Sequence, residues 1–488
     1  MEARTAVARH RTALSRIDLS RPIRLALEDG LVHGTVLDYG CGRGGDVRAL
    51  TAVGVDCVGW DPAHRPDGAR RPSDLVNLGY VINVIERVEE RRDTLLEAWA
   101  LAQRVLIVSA RLVAEAPTAG RTLEDGYLTR LGTFQKFYEQ QELRTWIDTT
   151  LGELSVAAAP GVFYVFRDRR EREAFVASRY RRSPDRGPIA GLCKIEHHRP
   201  MLEALAGFVL EHGRLPGEDE VELAREVAAT LGSVRRAGRL LAALGLSDPD
   251  LTAARLARSE DLLVYLALAR LDRRSAYGEL PRSLQIDVKV FFGTYGAATK
   301  AADTMLFALG DADRRDAACR EARVGKLMPT ALYVHVDAIA RLPLPLRLYE
   351  GCARHYIGAV PEATIVKLGR HEPKVSYLTY PTFESDPHPA LQASVSAHLQ
   401  TFRVRQRSFA SNSNPPILHR KELFVETSHP SRPKFERLTR QEERLGLFDE
   451  PSTIGTRDGW AAALDARGLV LRGHRILRRA APDAKPAT

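Results

Sequence analysis

Asp38, Gly40, Gly42, Gly44, Gly45 and Asp61 are the residues of this chain whose types and spacing most clearly bear chemistry. The stretch Thr-Val-Leu-Asp-Tyr-Gly-Cys-Gly-Arg-Gly-Gly-Asp over 35–46 reads as an apolar strand ending at Asp38, a glycine turn and the opening of a helix. Glycine serves such a turn where φ is positive or where a ligand approaches the backbone. The helix N-terminus adds unpaired N–H groups and partial positive charge. Gly40, Gly42 and Gly45 match the G-x-G-x-x-G spacing of dinucleotide sites. A carboxylate two residues before the first glycine repels a pyrophosphate, however. S-adenosylmethionine has no phosphate, and it brings an ammonium and a sulfonium. Val58-Gly59-Trp60-Asp61 reads as a second strand ending in an acid, placed where a carboxylate accepts hydrogen bonds from ribose hydroxyls. The expected cofactor is therefore S-adenosylmethionine, held by Asp38, Gly40, Cys41, Gly42 and Asp61. The alternative is a glycine turn kept only as scaffold.

The elements around these residues follow from periodicity. Asp74-Leu75-Val76 reads as the next buried strand, after a polar connection over 62–73. Ordinary methyltransferase domains place a helix, a strand and a second helix in that interval. About a dozen residues cannot hold them, so an abbreviated domain is expected. Asn77-Leu78-Gly79-Tyr80 stands where amino-methyltransferases carry Asn/Asp-Pro-Pro-Tyr, whose amide accepts from the substrate NH₂ while the aromatic ring stacks on the base. Both prolines are absent here. Asn77 and Tyr80 are the candidate catalytic residues, against the alternative of a turn residue and a packing aromatic. A helix over 92–103 and a strand over 105–108 follow, then a polar, loop-like stretch over 111–139. Its end holds Phe134, Phe137 and Tyr138 around Lys136, either a substrate lid that stacks bases and holds phosphate or core aromatics.

The middle third, 190–315, reads as helical. Within it Ala228 and Gly232 stand at the helix-turn-helix offset, ahead of Arg235, Arg236 and Arg239, which would face a major groove. Gly238 falls where that pattern expects an apolar side chain. Val288, Phe291, Phe292 and Tyr295 read as a core stripe of one helix over 284–309. From about 320 the pattern is mixed α/β. Arg403, Arg405 and Arg407 alternate along an extended segment, and Arg420 and Lys421 follow. These are candidate phosphate contacts, or else solvated cations. His371, His388 and His419 lack the paired spacing of common metal motifs, so no metal is expected.

Composition bounds the class. The 488 residues, 44% of them hydrophobic, suffice for two or three domains with real cores and exclude wholesale disorder. The net charge of +9, mostly from arginine, favours phosphate-rich partners. Five scattered cysteines indicate neither a disulfide framework nor a cysteine zinc site. A charged N-terminus and the shortness of the longest apolar runs point to a cytoplasmic protein away from membranes.

The chain also resembles, nearly end to end, the methyltransferases associated with DNA phosphorothioation, a bacterial family found with systems that replace a phosphate oxygen of DNA with sulfur. The residues that carry the resemblance include Arg9-His10-Arg11-Thr12-Ala13, Asp38-Tyr39-Gly40-Cys41-Gly42-Arg43-Gly44 and Gly59-Trp60-Asp61-Pro62. Asn77-Leu78-Gly79-Tyr80-Val81-Ile82-Asn83, Gly132-Thr133-Phe134-Gln135-Lys136-Phe137-Tyr138 and Asn414-Pro415-Pro416-Ile417-Leu418-His419-Arg420-Lys421 add to it. The resemblance implies a Rossmann-like cofactor fold and, as partners, DNA (phosphorothioated or not) and other proteins of such a system. The expected architecture is α/β: an abbreviated Rossmann-like S-adenosylmethionine-dependent methyltransferase domain at 1–182, a helical domain at 190–315 and a mixed α/β domain at 320–488. The expected activity is methyl transfer to DNA. A non-catalytic DNA-binding or regulatory partner of a phosphorothioation system, and an RNA methyltransferase, are the competing readings.

Overall fold

Apolar strands with no exposed surface build the first sheet: Val36 and Leu37, then Leu75, Val76 and Leu78, then Val105 through Val108. Such runs suit parallel strands covered on both faces by helices. The computed structural model describes residues 9–12, 19–116, 121–129, 132–182, 198–241 and 246–479. Residues 183–197, which include the junction between the first two expected domains and, beyond it, Cys193, lie outside them. In chain order come α1 (Arg21–Glu28), β1 (Thr35–Tyr39), α2 (Gly45–Ala52), β2 (Asp56–Trp60), β3 (Ser73–Gly79), α3 (Val88–Leu101) and β4 (Ala102–Ser109). Then follow β5 (Arg121–Leu123), β6 (Gly126–Leu128), β7 (Phe134–Gln135), α4 (Gln140–Leu151), β8 (Val156–Ala159), β9 (Val162–Phe166) and α5 (Arg169–Ser178).

The main sheet runs β2-β1-β3-β4-β9-β8. The first four strands are parallel and β9 is antiparallel to β4. β1 lies between β2 and β3, so the chain leaves it first to one side and then to the other. That reversal is the topological switch point, where open α/β sheets take ligands. Phe163 and Val165 join Leu95, Ala98 and Trp99 of α3 in one core, with Leu143 and Ile147 of α4. The alternate residues Tyr164 and Phe166 pack on Phe175 of α5 instead, with ring centroids 5.8 and 5.3 Å apart. This two-residue alternation is what a strand imposes.

Three expectations need correction. β1 runs on to Tyr39 and β3 to Gly79, so Asp38 and Asn77 lie inside strands, directly paired in register, not at strand ends. The stretch read as a loop forms the antiparallel sheet β5-β6-β7, in which Gly126 leaves room for the Phe134 ring. The single helix expected over 284–309 is two, α10 (Arg282–Phe292) and α11 (Tyr295–Ala308), because Gly293 takes φ 74° between them.

The other helices are α6 (Arg199–His212), α7 (Glu222–Leu231), α8 (Val234–Leu240) and α9 (Asp248–Ala269). α6, α7 and α8 share a core of Leu202, Leu205, Val227 and Val234. Gly232 takes φ 82° between α7 and α8, and the Ser233 hydroxyl caps α8 by accepting from the Arg236 N–H at 3.1 Å. Gly238 packs against Leu215, whose Cδ1 would lie 2.7 Å from an added Cβ, so the missing side chain is supplied from elsewhere.

The chain divides into two compact units, Met1–Ala308 and Leu309–Thr488, and the helices above belong to the first. The second opens with α12 (Ala312–Glu321), and its strands are β10 (Lys326–Leu327), β11 (Ala331–His335), β12 (Ile365–Gly369), β13 (Lys374–Thr379), β14 (Ala393–His398) and β15 (Arg403–Ser408). They form one antiparallel sheet in that order. α13 (Leu344–Ile357) covers one face through Leu346, Tyr349 and Ala353. α14 (Arg432–Arg444), α15 (Arg457–Ala466) and the hairpin β16 (Leu469–Arg472) with β17 (Arg475–Arg478) complete it.

This unit buries an imidazole pair. His388 Nε2 lies 2.7 Å from Glu442 Oε1, and the His388 and His419 rings pack on each other and on Trp460. Burial pushes His388 down to about 3 and His419 to about 4, and pushes Glu442 up to about 7. Below pH 6.5 the unfolded chain takes two protons that the folded imidazoles refuse, so stability falls. Glu442 acts oppositely between about 7 and 4.5, holding in the fold a proton the unfolded chain releases. Two groups outweigh one, so this cluster destabilises the unit as pH drops from 6.5 towards 4. His388→Gln should lower stability at neutral pH yet make that pH slope shallower by up to about 1.4 kcal/mol per pH unit. Urea unfolding at several pH values reads both, and an unchanged slope would contradict the assignment.

Candidate active site

The parallel sheet opens at the switch point into a cavity of about 570 Å³, within the range of small-molecule sites. β1, the glycine turn, the end of β2 and the strand end of β3 wall it on one side, and α3 on the other. All seven predicted cofactor and catalytic residues, Asp38, Gly40, Cys41, Gly42, Asp61, Asn77 and Tyr80, line this cavity.

The turn is held by backbone geometry. Gly40 takes φ 82°, and a Cβ there would come within 2.3 Å of Val81 Cγ2. The N–H groups of Gly40 and Cys41 donate to the Trp60 carbonyl at 2.8 and 3.0 Å, tying the turn to the end of β2. Asp61 then locks the far side. Its Oδ2 accepts from the Gly42 N–H at 3.0 Å, and its Oδ1 accepts from the N–H groups of Ala63 and His64 at 2.9 and 2.8 Å. A carboxylate offers about four lone-pair sites, so acceptor capacity remains on the cavity side. Cys41 is no nucleophile. Burial, reinforced by Asp38, pushes its thiol up to about 12.

Asp38 and Asn77 form one unit across β1 and β3. The Asn77 Nδ2–H donates to Asp38 Oδ1 at 2.8 Å, and both side chains are buried. Asn77 Oδ1 is buried with no hydrogen-bond partner among the described residues. A lone acceptor in a cavity wall is costly unless a ligand donor meets it. Tyr80 sits at φ 59°, a left-handed conformation that a bulky residue rarely takes, and its N–H donates to the Ser109 carbonyl at 3.0 Å. That pairing, one residue past β3, holds the strain in place and keeps Tyr80 in the cavity wall.

The sequence reading missed much of the wall. Asp46 on α2 is buried and accepts from the Ser20 N–H at 2.6 Å. Glu90, Asp93 and Glu97 of α3 also line the cavity. Their three- and four-residue spacing puts them on one helix face, a signal present in the sequence but overlooked beside Leu95, Leu96 and Trp99. Tyr39 Oη donates to Glu97 Oε2 at 2.6 Å, and the Arg70 guanidinium lies 4.6 Å from the Trp60 ring centre and 3.6 Å from Glu97. Arg9 pairs with Glu86 and Glu90. Among the described residues, six carboxylates and two guanidiniums therefore line the space: Asp38, Asp46, Asp61, Glu90, Asp93 and Glu97 against Arg9 and Arg70. The surplus favours a cationic ligand and opposes a pyrophosphate.

The predicted phosphate contacts divide. Arg235, Arg236 and Arg239 are exposed on α8, as are Arg403, Arg405 and Arg407 on β15. Lys136 is corrected: it is buried, its Nζ pairs with Asp125 at 3.1 Å and Glu142 at 2.8 Å, and it does not line the cavity. Phe134 and Tyr138 beside it are core residues, not a lid. Lys421 is corrected too, since its Nζ is enclosed between the carbonyls of Phe383 and Asp386 at 2.6 and 2.5 Å. Burial pushes that amine down to about 7. Arg420 pairs with Glu443 at 2.7 Å and stacks on Phe448. Among the described residues no group of three or more His, Cys, Asp or Glu could hold a metal ion, and no helix is long and apolar enough to cross a membrane.

No family model and no curated protein matches this chain. Among solved structures it is similar to the 1,6-didemethyltoxoflavin-N1-methyltransferase of Burkholderia thailandensis, solved with 1,6-didemethyltoxoflavin and S-adenosylhomocysteine. The identity is 15% and the TM-score 0.23, over 33% of this chain and 79% of that one. It is also similar to CalS10, an amino pentose methyltransferase of Micromonospora echinaspora involved in calicheamicin biosynthesis and solved with S-adenosylmethionine. There the identity is 16% and the TM-score 0.23, over 30% of this chain and 92% of that one. Both likenesses are weak, cover about a third of the chain and say nothing of phosphorothioation.

Proposed function

We propose that this protein binds S-adenosylmethionine at the switch point of its parallel sheet and transfers the methyl group to a nucleic acid, DNA in the phosphorothioation context that the sequence resemblance implies. The observation that carries the reading is the acid-lined cavity beside a glycine turn that Asp61 ties down through the Gly42 N–H. The residues fit the cofactor: carboxylates for its cationic end, a turn that Gly40 permits at φ 82°, and an unpartnered acceptor on Asn77. Asp38, Gly40, Cys41 and Gly42 would hold the methionine end and Asp61 the ribose. The cofactor supplies an already activated methyl donor. The protein's part is alignment and exclusion of water. Asn77 orients Asp38 through its amide N–H and keeps its carbonyl oxygen for an incoming N–H. Tyr80, strained in the cavity wall, would meet an acceptor base, which must be flipped out if it comes from a duplex.

The exposed arginines on α8 support the nucleic-acid partner, and they would serve a non-catalytic DNA-binding protein equally. Labelled methyl transfer to DNA and to RNA, assayed in parallel, separates the readings. DNA labelling that Asn77→Ala reduces tenfold or more is expected. Labelling of RNA alone would reassign the acceptor, and no transfer to either would favour the non-catalytic reading.

A further inference from the structure

We propose that the open part of the β10–β15 sheet face opposite α13, towards the edge strand β15, is a platform for the phosphate backbone of a nucleic acid; the rest of that face is covered by the core of Ile365, Leu378, Phe383, Phe424 and Phe435. The inference names a binding surface for the polymer acceptor proposed above and does not depend on methyl transfer occurring.

Register settles which residues share this face. Residues directly opposed on neighbouring strands project to the same side. Lys367 opposes Ser376, Ser376 opposes Ser396, and Ser396 opposes Arg405, which makes one row from β12 to the edge strand β15. By the two-residue period, Lys374, Arg403 and Arg407 stand on the same side. The intervening residues Val366, Val375, Tyr377 and Ala397 form the core under α13, so the row must face away from it.

The face is of one sign. Its open part gathers five cations, Lys326 of β10 on the same side being packed on the Phe424 ring, and no strand of the sheet places Asp or Glu on it. None of the five has an ion pair among the described residues; Lys367 lies 5.3 Å from the Tyr333 ring centre, and the three arginines are exposed. The carboxylate at its rim, Glu372 in the β12–β13 turn, lies 3.7 Å from His398. Charged residues on an edge strand often serve only to block pairing with other chains. That would account for the arginines of β15, but not for Lys374 two strands inward or Lys367 three strands inward. A merely solvated face interleaves both signs. Ser396, between the cations, adds a hydroxyl donor of the kind that positions phosphate oxygens, whereas Ser376 is buried.

The dimensions favour a polymer over a single phosphoryl group. Three strand spacings separate Lys367 from Arg405, roughly 14 Å, and four residues separate Arg403 from Arg407, roughly 13 Å. One strand of a duplex presents a phosphate about every 3.4 Å of rise, so the patch spans about four of them.

The test uses the full chain and fluorescence anisotropy, with a labelled 20-nucleotide single strand and the corresponding duplex titrated at several salt concentrations. The variant Arg403→Ala/Arg405→Ala/Arg407→Ala should bind at least tenfold more weakly. Its plot of log affinity against log salt should be shallower by about 2 to 3, since each lost contact removes about 0.7 (single strand) to 0.9 (duplex) from the slope. Lys367→Ala/Lys374→Ala should flatten it further, which edge protection alone does not predict. Should the triple variant misfold by circular dichroism, Arg405→Gln alone is expected to lower the slope by about 0.7 to 0.9. A folded variant with unchanged affinity and slope overturns the proposal. So does complete loss of binding on Arg235→Ala/Arg236→Ala/Arg239→Ala with the sheet intact. S-adenosylmethionine binding, measured on the same preparations, should survive in every one of these variants. Its absence from the unsubstituted protein would count against the methyltransferase reading and leave this one standing.

Discussion

Asp61→Ala is expected to weaken S-adenosylmethionine binding a hundredfold or more and to loosen the turn that forms its site. The carboxylate accepts from three backbone N–H groups, those of Gly42, Ala63 and His64. Their loss costs about 1–3 kcal/mol of stability, discounted because all three bonds are at least partly open to water. The binding loss has two sources. A charge-assisted hydrogen bond to the ribose is worth about 1.5–3 kcal/mol, and a turn that has lost its tie to Gly42 no longer presents Gly40 and Gly42 in position. Together these exceed the roughly 2.7 kcal/mol that a hundredfold represents. Asp61→Asn should fall between, because an amide can still accept from Ala63 or His64 but sets an NH₂ against the Gly42 N–H. Calorimetric titration of both variants, with thermal melts alongside, reads the two effects separately. Binding by Asp61→Ala within threefold of the unsubstituted protein would remove Asp61 from the site.

The largest expected effect on stability lies among the helices of the first unit. Asp287 of α10 is fully buried and joins two guanidiniums, Arg214 at 2.6 Å and Arg258 at 2.7 Å. Arg258 belongs to α9 and Arg214 follows α6, so one carboxylate ties three helices together. Arg214 keeps Glu220 at 2.7 Å as a second partner. Asp287→Ala leaves Arg258 buried without its carboxylate, and breaking such a pair from one side costs about 3–5 kcal/mol. Urea unfolding should show that loss as a lower midpoint. A change under about 1 kcal/mol would mean that water reaches the arginines and that the network contributes little.

Much of the site was legible in the sequence because it lies close along the chain. The glycine turn follows β1, Asp38 lies within β1 and Asp61 follows β2, and strand-turn-helix order brings them to one place whatever else the fold does. The pairing of Asn77 with Asp38 was not legible. It depends on the parallel register of β1 with β3, and no local pattern specifies how far one strand slides along another. The same limit explains Lys136 and Lys421, which looked like available cations until Asp125, Glu142 and the carbonyls of Phe383 and Asp386 met them in space. The acid stripe of α3 was readable in principle, since Glu90, Asp93 and Glu97 recur at helical spacing. Its direction into the cavity was not, because either face of an amphipathic helix can carry charge.

Whether the acid-lined cavity takes a cationic cofactor rather than a dinucleotide is tested most directly by calorimetric titration of the purified protein with S-adenosylmethionine and, separately, with NAD. Saturable one-site binding of S-adenosylmethionine, with none of NAD, is the predicted result. Binding of NAD alone, or of neither ligand even with DNA present, would contradict it.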